Sequence, residues 1–259
     1  MRGRLQQSAA SRRAVMAGLG ASLAGACAAP PDVRARGGLV VGSTATGVPF
    51  SFLDVRTNSL TGAMVDIVEA VAAQAGFPVD LQVTAFSALI PSLTARKIDL
   101  IAAAMLRTPA REAVVDFSDP VYAYGGGVVV RREDRRAYPD LGRLAGLRVG
   151  AQVGSRFVEQ LATAGVRDVR TYDSLADILR DLRLGRLDAA YGDEPIIRYY
   201  LRVTRTEALR LATEFRPGEL EQVCLVMRKG ETALAARLNR AIAEIKATRI
   251  AAIVQHWGL

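Results

Sequence analysis

The sequence contains very little of the chemistry on which metal sites, disulfide frameworks and histidine-dependent catalysis depend. Among 259 residues there are two cysteines, Cys27 and Cys224, and one histidine, His256. Two cysteines provide neither a disulfide framework nor a zinc-binding spacing. One histidine argues against a histidine-based metal site or catalytic triad. We therefore expect the protein to use neither a metal nor a cofactor.

The basic N-terminus lacks an apolar run long enough to cross a bilayer. Four arginines precede the thirteen-residue stretch AVMAGLGASLAGA at 14–26, whereas a transmembrane helix needs about 20 residues. A basic segment, a short apolar segment and small residues form an export signal, which we place at residues 1–29. SRRAVM resembles the twin-arginine export motif, and an ordinary secretory signal is the alternative. Cys27, in LAGAC, is a candidate lipoprotein site.

Much of the basic charge belongs to that predicted signal. The formal net charge is +8, and removing residues 1–29 takes away four arginines and no acidic residue, which leaves +4. No block of lysine or arginine interleaved with aromatic residues follows, so nucleic-acid binding is not indicated. Half of the residues are hydrophobic, as in an ordinary globular protein.

From Leu39 onward, short apolar segments typical of strands alternate with segments that carry a helical apolar stripe. LVVGST (39–44) and IDLIAAAM (98–105) are predicted strands, and GAMVDIVEAVAAQAGF between them is a predicted helix. A second series of the same kind begins at RVGAQ (148–152). This alternation predicts parallel strands in two similar α/β lobes, with the last helix packed on the first lobe through Trp257.

A two-lobed α/β protein binds its ligand between the lobes, at the carboxyl ends of the strands. Arg111 follows one such strand, and Thr108 and Pro109 are typical of a helix N-cap and first helical position. A cation in the first turn is unfavourable, because the free N–H groups there already carry partial positive charge. Arg111 is therefore a candidate anion ligand. The alternative is a surface arginine paired with Glu112 or Asp116.

The second lobe offers complementary groups at two positions. Ser155 opens a helix after VGAQ, and Asp193 precedes Glu194 and Pro195 at the start of another. A guanidinium facing a carboxylate across a cleft suits a zwitterion such as an α-amino acid, with Arg111 on its carboxylate and Asp193 on its ammonium. Ser155 and Asp193 are equally good helix N-caps, and that interpretation stays open.

Six segments occur in order and at suitable spacing: LVVGSTATGVPFSF, LTGAMVDIVEAVAAQAGF, FSALIPSLTARKIDLIAAAM, TPAREAVVDFSDPVY, LRVGAQVGS and GRLDAAYGDEP. In these segments the chain resembles the bacterial extracellular solute-binding proteins of family 3, the polar amino-acid receptors of ABC importers, from Leu39 to Leu259. The resemblance implies a two-lobed α/β fold of periplasmic-binding-protein type II. It places the ligand cleft between lobes joined by a two-strand hinge near 123–128 and 217–223.

The same resemblance suggests how the chain divides. Residues 37–126 plus 222–259 would form lobe 1, and residues 127–221 would form lobe 2. It also implies roles for individual residues. Arg111 would clamp the ligand carboxylate, Asp193 would accept its ammonium, Ser155 would add its hydroxyl and N–H, and Phe86 would form one wall of the site. Phe86 could equally be a core residue, since buried aromatic rings usually serve packing alone.

The chain departs from the family pattern where the ligand side chain would lie. Thr44 stands where receptors for basic amino acids often carry Asp, so nothing there would pair with a distal ammonium. Gly47 stands where an aromatic platform is frequent. The candidate walls that remain are Phe50, Phe52 and Phe86.

Further departures lie near Arg111. Ala104 and Leu106 occupy positions that commonly contact ligand, and Leu106 lacks a hydroxyl, although its backbone N–H could serve. Arg107 and Arg156 are unexpected cations near the cleft. Strand alternation turns Arg107 away from Leu106, so Arg156 is the better candidate to face the ligand, where it would favour an acidic or amide side chain.

These features predict a non-enzymatic, monomeric receptor that is exported to the periplasm. It would bind a polar, acidic or amide amino acid and deliver it to an ABC permease in the inner membrane by hinge closure. One alternative is an enzyme like the cyclohexadienyl dehydratases, which resemble these receptors, with Asp193 or Glu194 as general acid. Neighbouring arginines would oppose the raised pKa that such an acid needs. Another is a ligand-sensing domain that acts with a separate partner.

Overall fold

The computed structural model describes residues 38–259, so the predicted export signal at 1–29 and Cys27 lie outside the described residues. Strands β1 to β15 run, in chain order, over Leu39–Ser43, Thr46–Gly47, Ser51–Asp54, Ser59–Thr61, Val79–Val83, Leu100–Ile101, Val115–Phe117, Tyr122–Tyr124, Gly126–Arg131, Arg148–Gln152, Asp168–Tyr172, Ala189–Asp193, Leu209–Leu211, Glu221–Val223 and Val226–Arg228. Helices α1 to α8 run over Ala63–Gln74, Leu89–Thr94, Pro109–Glu112, Arg156–Thr163, Leu175–Arg183, Glu194–Thr204, Thr232–Ile245 and Ala251–His256.

Two five-stranded sheets with matching topology form the two lobes. The first has the strand order β5-β1-β6-β15-β7, and the second has the order β11-β10-β12-β9-β13. In each sheet the first three strands are parallel, and the other two are antiparallel to their neighbours. The predicted parallel βαβ units are confirmed. Strands β9 and β15, which run antiparallel to the first three strands of their sheets, belong to segments that enter each lobe from the other one, which the local pattern did not indicate.

The lobes are joined by a two-stranded antiparallel ribbon made of β8 and β14. Strand β8 lies between β7 of the first sheet and β9 of the second, whereas β14 returns the chain from β13 to β15. The ribbon falls within one residue of the predicted hinge segments 123–128 and 217–223. Gly126, which was placed in lobe 1, pairs with Asp193 in the second sheet.

A glycine in the second strand of each five-stranded sheet lets the side chains that cover the sheet approach closely. A Cβ on Gly42 in β1 would collide with the side chain of Ile98, and a Cβ on Gly150 in β10 would collide with those of Ile178 and Leu187. Glycine in a strand interior marks such close approaches. The two lobes therefore repeat the same packing solution at equivalent strands.

The last helical segment packs back on the first lobe, as predicted. Helices α7 and α8, joined by one π-helical turn, lie against α1. The indole Nε1 of Trp257 donates to the carboxylate of Asp66 in α1 at 2.7 Å, and its ring meets that of Phe52 edge-on at 5.8 Å. Phe52 therefore packs under the C-terminal helix and does not form a wall of the cleft, which corrects that expectation.

A buried ion pair ties β15 to the β1–β6 region. Arg228, which is 8% exposed, donates to Asp99 Oδ1 at 3.1 Å and to the carbonyl of Ile98 at 2.7 Å. The other oxygen of Asp99 accepts from the backbone N–H of Val40 at 3.1 Å. Because this carboxylate is buried, these bonds contribute to the compensation of its charge.

We predict that Arg228→Met destabilises the fold by about 3–5 kcal/mol, because it removes the buried guanidinium that binds Asp99 and the carbonyl of Ile98. The neighbouring Lys229 forms an exposed pair with Asp116, so Lys229→Met should cost no more than about 1 kcal/mol. Urea unfolding of both variants measures the two losses. Equal losses would show that burial does not distinguish the two pairs.

Candidate functional site

The predicted site residues lie where the carboxyl ends of the parallel strands of both sheets face each other. Thr44 follows β1, Ala104 and Leu106 follow β6, Ser155 follows β10, and Asp193 ends β12. This is the position that strand order alone specifies for a ligand in an open α/β sheet.

Arg111 lies at the contact between the lobes. The side chain of Thr108 accepts from the Arg111 N–H at 3.3 Å and caps α3, with Pro109 at its start, as predicted. The guanidinium donates to the carbonyl of Leu106 at 2.6 Å and to the carbonyl of Gly154 in the other lobe at 3.0 Å. Burial lowers its pKa, and Asp193 opposes that change, but an arginine keeps its charge.

The alternative local pairing of Arg111 does not occur. Glu112 binds Arg107 at 2.6 Å, and Asp116 binds Lys229 at 2.8 Å. The hydrogen bonds of the Arg111 guanidinium go instead to neutral backbone carbonyls. A carboxylate on this fork would form stronger, charge-assisted bonds than those carbonyls do.

The contact between lobes is close at Gly154. Its φ of 72° lies in the left-handed region, and a Cβ there would lie 3.2 Å from the Cα of Ser87 in the first lobe. A side chain at this position would therefore strain the backbone and press against the facing lobe. Glycine here leaves the carbonyl of residue 154 within reach of Arg111.

Asp193 lies opposite, at the start of α6, and is 9% exposed. It occupies the N-cap position, but its side chain makes no capping hydrogen bond. Its Oδ1 accepts instead from the hydroxyl of Tyr124 in the ribbon. Burial raises the pKa of Asp193 to about 6, although the Tyr124 hydrogen bond and the charge of Arg111 both act to lower it. The expectation that neighbouring arginines would prevent a raised pKa is therefore wrong, because burial is the larger effect.

Tyr124 was not among the predicted site residues. Its hydroxyl lies 3.2 Å from the carbonyl of Ala104 as well as against Asp193, and a hydroxyl has one proton to donate. Burial and the carboxylate of Asp193 raise the pKa of Tyr124 well above its ordinary value. The strand segment VYAY, followed by glycines, was the available signal, because alternation places Tyr122 and Tyr124 on one side.

The backbone turns sharply before Arg111. Ala104 has a φ of 51°, in the left-handed region that a residue with a Cβ rarely adopts. The predicted strand at 98–105 is correspondingly short, since only Leu100–Ile101 belong to β6. Leu106 is buried and bridges to Val223 of the ribbon, so its carbonyl, and not its side chain, contributes to the site through Arg111.

Two of the three candidate aromatic walls remain near the cleft. Phe86 opens a short 3₁₀ turn before α2, and the Arg111 guanidinium lies 5.8 Å from its ring centroid. This is within the range of a cation–π contact. Phe50 is 1% exposed and stacks on Tyr124 at 5.4 Å, so it borders the site mainly as support for that tyrosine.

Ser155 and Arg156 differ from the expectation. The hydroxyl of Ser155 donates to the carbonyl of Gln152 at 2.7 Å, and its N–H points to the same oxygen. Both predicted ligand donors are thus directed to the protein's own backbone. Arg156 does not face the ligand cleft but pairs with Glu221 of the ribbon, which also accepts from Gln160 at 2.8 Å. Glu221 was missed because its role depends on a partner 65 positions away.

A small cavity of about 20 Å³ lies between the lobes and is lined by Phe86 and Asp193 among others; it has room for about one water molecule. Its walls come from both lobes. The first lobe supplies Thr44, Thr46, Gly47, Phe50, Ser51, Phe86, Ala103 and Ala104, and the second supplies Gln152, Leu175, Asp193 and Ile196.

Within residues 38–259, no group of three or more histidine, cysteine, aspartate or glutamate side chains is arranged to hold a metal ion. In the same part of the chain, no helix combines the length and the hydropathy needed to cross a bilayer. Cys224 is buried, and burial raises the pKa of its thiol to about 11.

Two lobes, a connecting ribbon and a buried, charged cleft define the architecture of a solute-binding receptor. The model of the bacterial extracellular solute-binding proteins, family 3, matches residues 39–259, and the chain belongs to that family. It is similar to the L-cystine-binding protein TcyA of Bacillus subtilis, with 28% identity over 83% of this chain and 78% of that one.

Two further similarities agree with this. The L-cystine-binding protein TcyJ of Escherichia coli is 30% identical over 87% of this chain and 84% of its own. An ancestral arginine-binding protein, solved with arginine bound, superposes with a TM-score of 0.79 at 31% identity, over 86% of this chain and 98% of that one. These relatives are named for binding amino acids.

We predict that Asp193→Asn stabilises the ligand-free protein at pH 7.5 by up to about 3 kcal/mol. A carboxyl whose pKa is raised from 3.8 to about 6 on folding holds its proton better in the folded state. Ionisation therefore costs stability as the pH rises through that interval, and the whole penalty is present above it. Chemical unfolding of wild type and variant at pH values from 4 to 8 measures the difference, which should disappear at the acidic end.

Asp116→Asn is the control, because its effect on stability at neutral pH should have the opposite sign. Lys229 and the Gly230 N–H lower the pKa of Asp116, so this variant should lose stability at neutral pH and lose less in acid. A pH-independent effect of Asp193→Asn would contradict the raised pKa.

Proposed function

We propose that the protein is the substrate-binding component of an ABC importer and binds an α-amino acid between its lobes. The observation that carries this proposal is the pair Arg111 and Asp193. A guanidinium from one lobe and a buried carboxylate from the other lie at the contact between the lobes. The proposal includes a periplasmic location and action as a monomer beside an inner-membrane permease, in line with the family.

The bonds that Arg111 now makes indicate what a ligand would replace. Its guanidinium donates to two backbone carbonyls, that of Leu106 and, across the cleft, that of Gly154. A ligand carboxylate exchanges at least one of these neutral acceptors for a charged one. The ligand ammonium then takes a place beside Asp193 and compensates a carboxylate that burial otherwise destabilises.

Ligand binding is coupled to movement of the lobes in this proposal. A cavity of about 20 Å³ does not admit an amino acid, so the lobes separate about the β8–β14 ribbon for entry. The ligand then contacts both lobes, which gives the closed form the extra affinity that a population shift requires. The permease recognises the closed form.

The charges are sufficient for a useful affinity. A micromolar dissociation constant corresponds to about −8 kcal/mol. Two charge-assisted anchors contribute about 1.5–3 kcal/mol each, and burial of a side chain adds about 0.8 kcal/mol for each methylene group. The relatives named for cystine and arginine bind molecules that carry the same α-carboxylate and α-ammonium.

The raised pKa of Asp193 favours one second candidate, a dehydratase-like enzyme in which this residue acts as a general acid. A carboxyl with a pKa of about 6 is well placed to give up a proton near neutral pH. Incubation with prephenate and detection of the decarboxylated, dehydrated product tests this candidate. Turnover that disappears in Asp193→Asn would establish the enzyme.

We predict that Arg111→Ala weakens amino-acid binding by at least about 2 kcal/mol while the fold is retained. The matched control is Arg107→Ala, four residues earlier, whose side chain pairs with Glu112 outside the cavity wall. Residues 30–259 would be unfolded and refolded to remove carried ligand, and titrated by calorimetry with the common amino acids and dicarboxylates. Equal affinities of the two variants would rule out the clamp, and the absence of binding by any amino acid would refute the proposed function.

We predict that Asp193→Asn weakens α-amino acids much more than it weakens the corresponding 2-hydroxy acids, which keep the carboxylate and lack the ammonium. The lost interaction is charge-assisted and exists only for the amino acid. Calorimetric titration of each pair of ligands with both proteins measures the coupling. Equal losses for both ligand classes would remove Asp193 from the ammonium site.

A further inference from the structure

The charge of the cavity wall points to a particular class of ligand. We infer that the site selects an α-amino acid whose side chain is uncharged and carries a hydrogen-bonding group. The buried hydroxyl pair of Thr44 and Ser51 recognises that group in this proposal. The inference rests on the proposed function, because it assigns the side-chain end of the same cleft.

The wall contains one ionisable carboxyl. Of the described residues that line the cavity, only Asp193 carries a charge, and Arg111 adjoins the wall through the ring of Phe86. The α-ammonium and the α-carboxylate of an amino acid use these two groups. No charged group of the described wall is then left for a side chain.

The other charged residues near the cleft are occupied by partners of their own. Arg156 pairs with Glu221 of the ribbon, and Arg107 pairs with Glu112. Glu194, which directly follows Asp193, pairs with Arg198 one helical turn along α6. None of these six residues lines the cavity. The loss of Arg156 from the cleft removes the reason for expecting an acidic ligand.

A ligand with a charged side chain would bury that charge without a counter-ion. Removing an ion from water costs far more than hydrogen bonds to neutral groups return, unless a partner charge is present. Amides and hydroxyls cost much less to bury, provided that their hydrogen bonds are replaced. The wall therefore penalises arginine-like and glutamate-like side chains and accepts neutral polar ones.

The required hydrogen bonds are available from Thr44 and Ser51. Their oxygens are 2.7 Å apart, and the two residues are 5% and 1% exposed. In a pair of hydroxyls one hydrogen lies between the oxygens, and the second belongs to whichever hydroxyl accepts. The pair can therefore present a donor, an acceptor, or both, to a ligand group in the cavity.

Space next to this pair is kept open by a glycine. A Cβ on Gly47 would lie 3.4 Å from Thr44 Oγ1 and 3.9 Å from the Cδ1 of Ile196. A side chain there would fill the gap between the hydroxyl pair and the facing lobe. Ile196 and Leu175 provide apolar contacts for the methylene groups of a ligand.

The test uses ligand pairs that differ in charge but have nearly the same shape. Glutamine and glutamate form one pair, and citrulline and arginine form the other. Calorimetric titration of the refolded protein at pH 7.5 should show at least tenfold tighter binding of the neutral member in each pair. Tighter or equal binding of the charged member in both pairs overturns the inference, while it leaves the proposed function intact. Failure of every amino acid to bind overturns the proposed function itself.

Protein variants test the hydroxyl pair. Thr44→Val and Ser51→Ala should each weaken glutamine at least fivefold and should change binding of norleucine, an apolar ligand of similar length, less than twofold. Thr94→Val is the control, because the Thr94 hydroxyl binds carbonyls of its own helix and lies outside the cavity wall. Thermal melting checks that all three variants fold. Parallel losses for glutamine and norleucine would remove the hydroxyl pair from ligand recognition.

Discussion

A buried carboxylate and a half-buried guanidinium at the contact between the lobes are the constraint on which the site depends. Arg111 reaches across to the backbone of Gly154, and Asp193 is held by Tyr124 from the connecting ribbon. Both groups lose water without gaining an ionic partner in direct contact, since Arg111 binds carbonyls and Asp193 binds a hydroxyl. Such an arrangement is costly, and a zwitterion is the kind of molecule that compensates both ends at once.

The buried carboxylate of Asp193 is in contact with the ribbon that joins the two lobes. Strands β8 and β14 are the two places where the chain passes between the sheets, and the Tyr124–Asp193 and Arg156–Glu221 contacts both join a ribbon residue to the second lobe. In the proposed function, closure is therefore linked to polar contacts that the ligand alters. The same proposal makes the stability of the ligand-free protein and its affinity for ligand opposed at Asp193, as is common at functional sites.

Local physics explains which parts of the site could be predicted from the sequence. The capped turn that contains Arg111 depends on Thr108 and Pro109, which start the same helix. Its geometry could therefore be predicted from the local sequence. Ser155 and Arg156 were misjudged for the opposite reason. Their side chains bind groups whose positions follow from the return of the chain through the ribbon, and strand alternation carries no information about such partners. Tyr124 was missed because a tyrosine in a strand can serve packing as readily as hydrogen bonding, and its position in the sequence does not distinguish the two.

The sequence by itself determined the alternation of strands and helices, the parallel βαβ units and the helix starts at Thr108 and Asp193, because each depends on interactions within a few residues. Only the tertiary structure decided the antiparallel strands of each sheet, the burial that raises the pKa of Asp193, and the pairing of Arg156 with Glu221. These features depend on distances between residues far apart in the chain. Burial and ion pairing respond to those distances, which become defined only when both lobes are assembled.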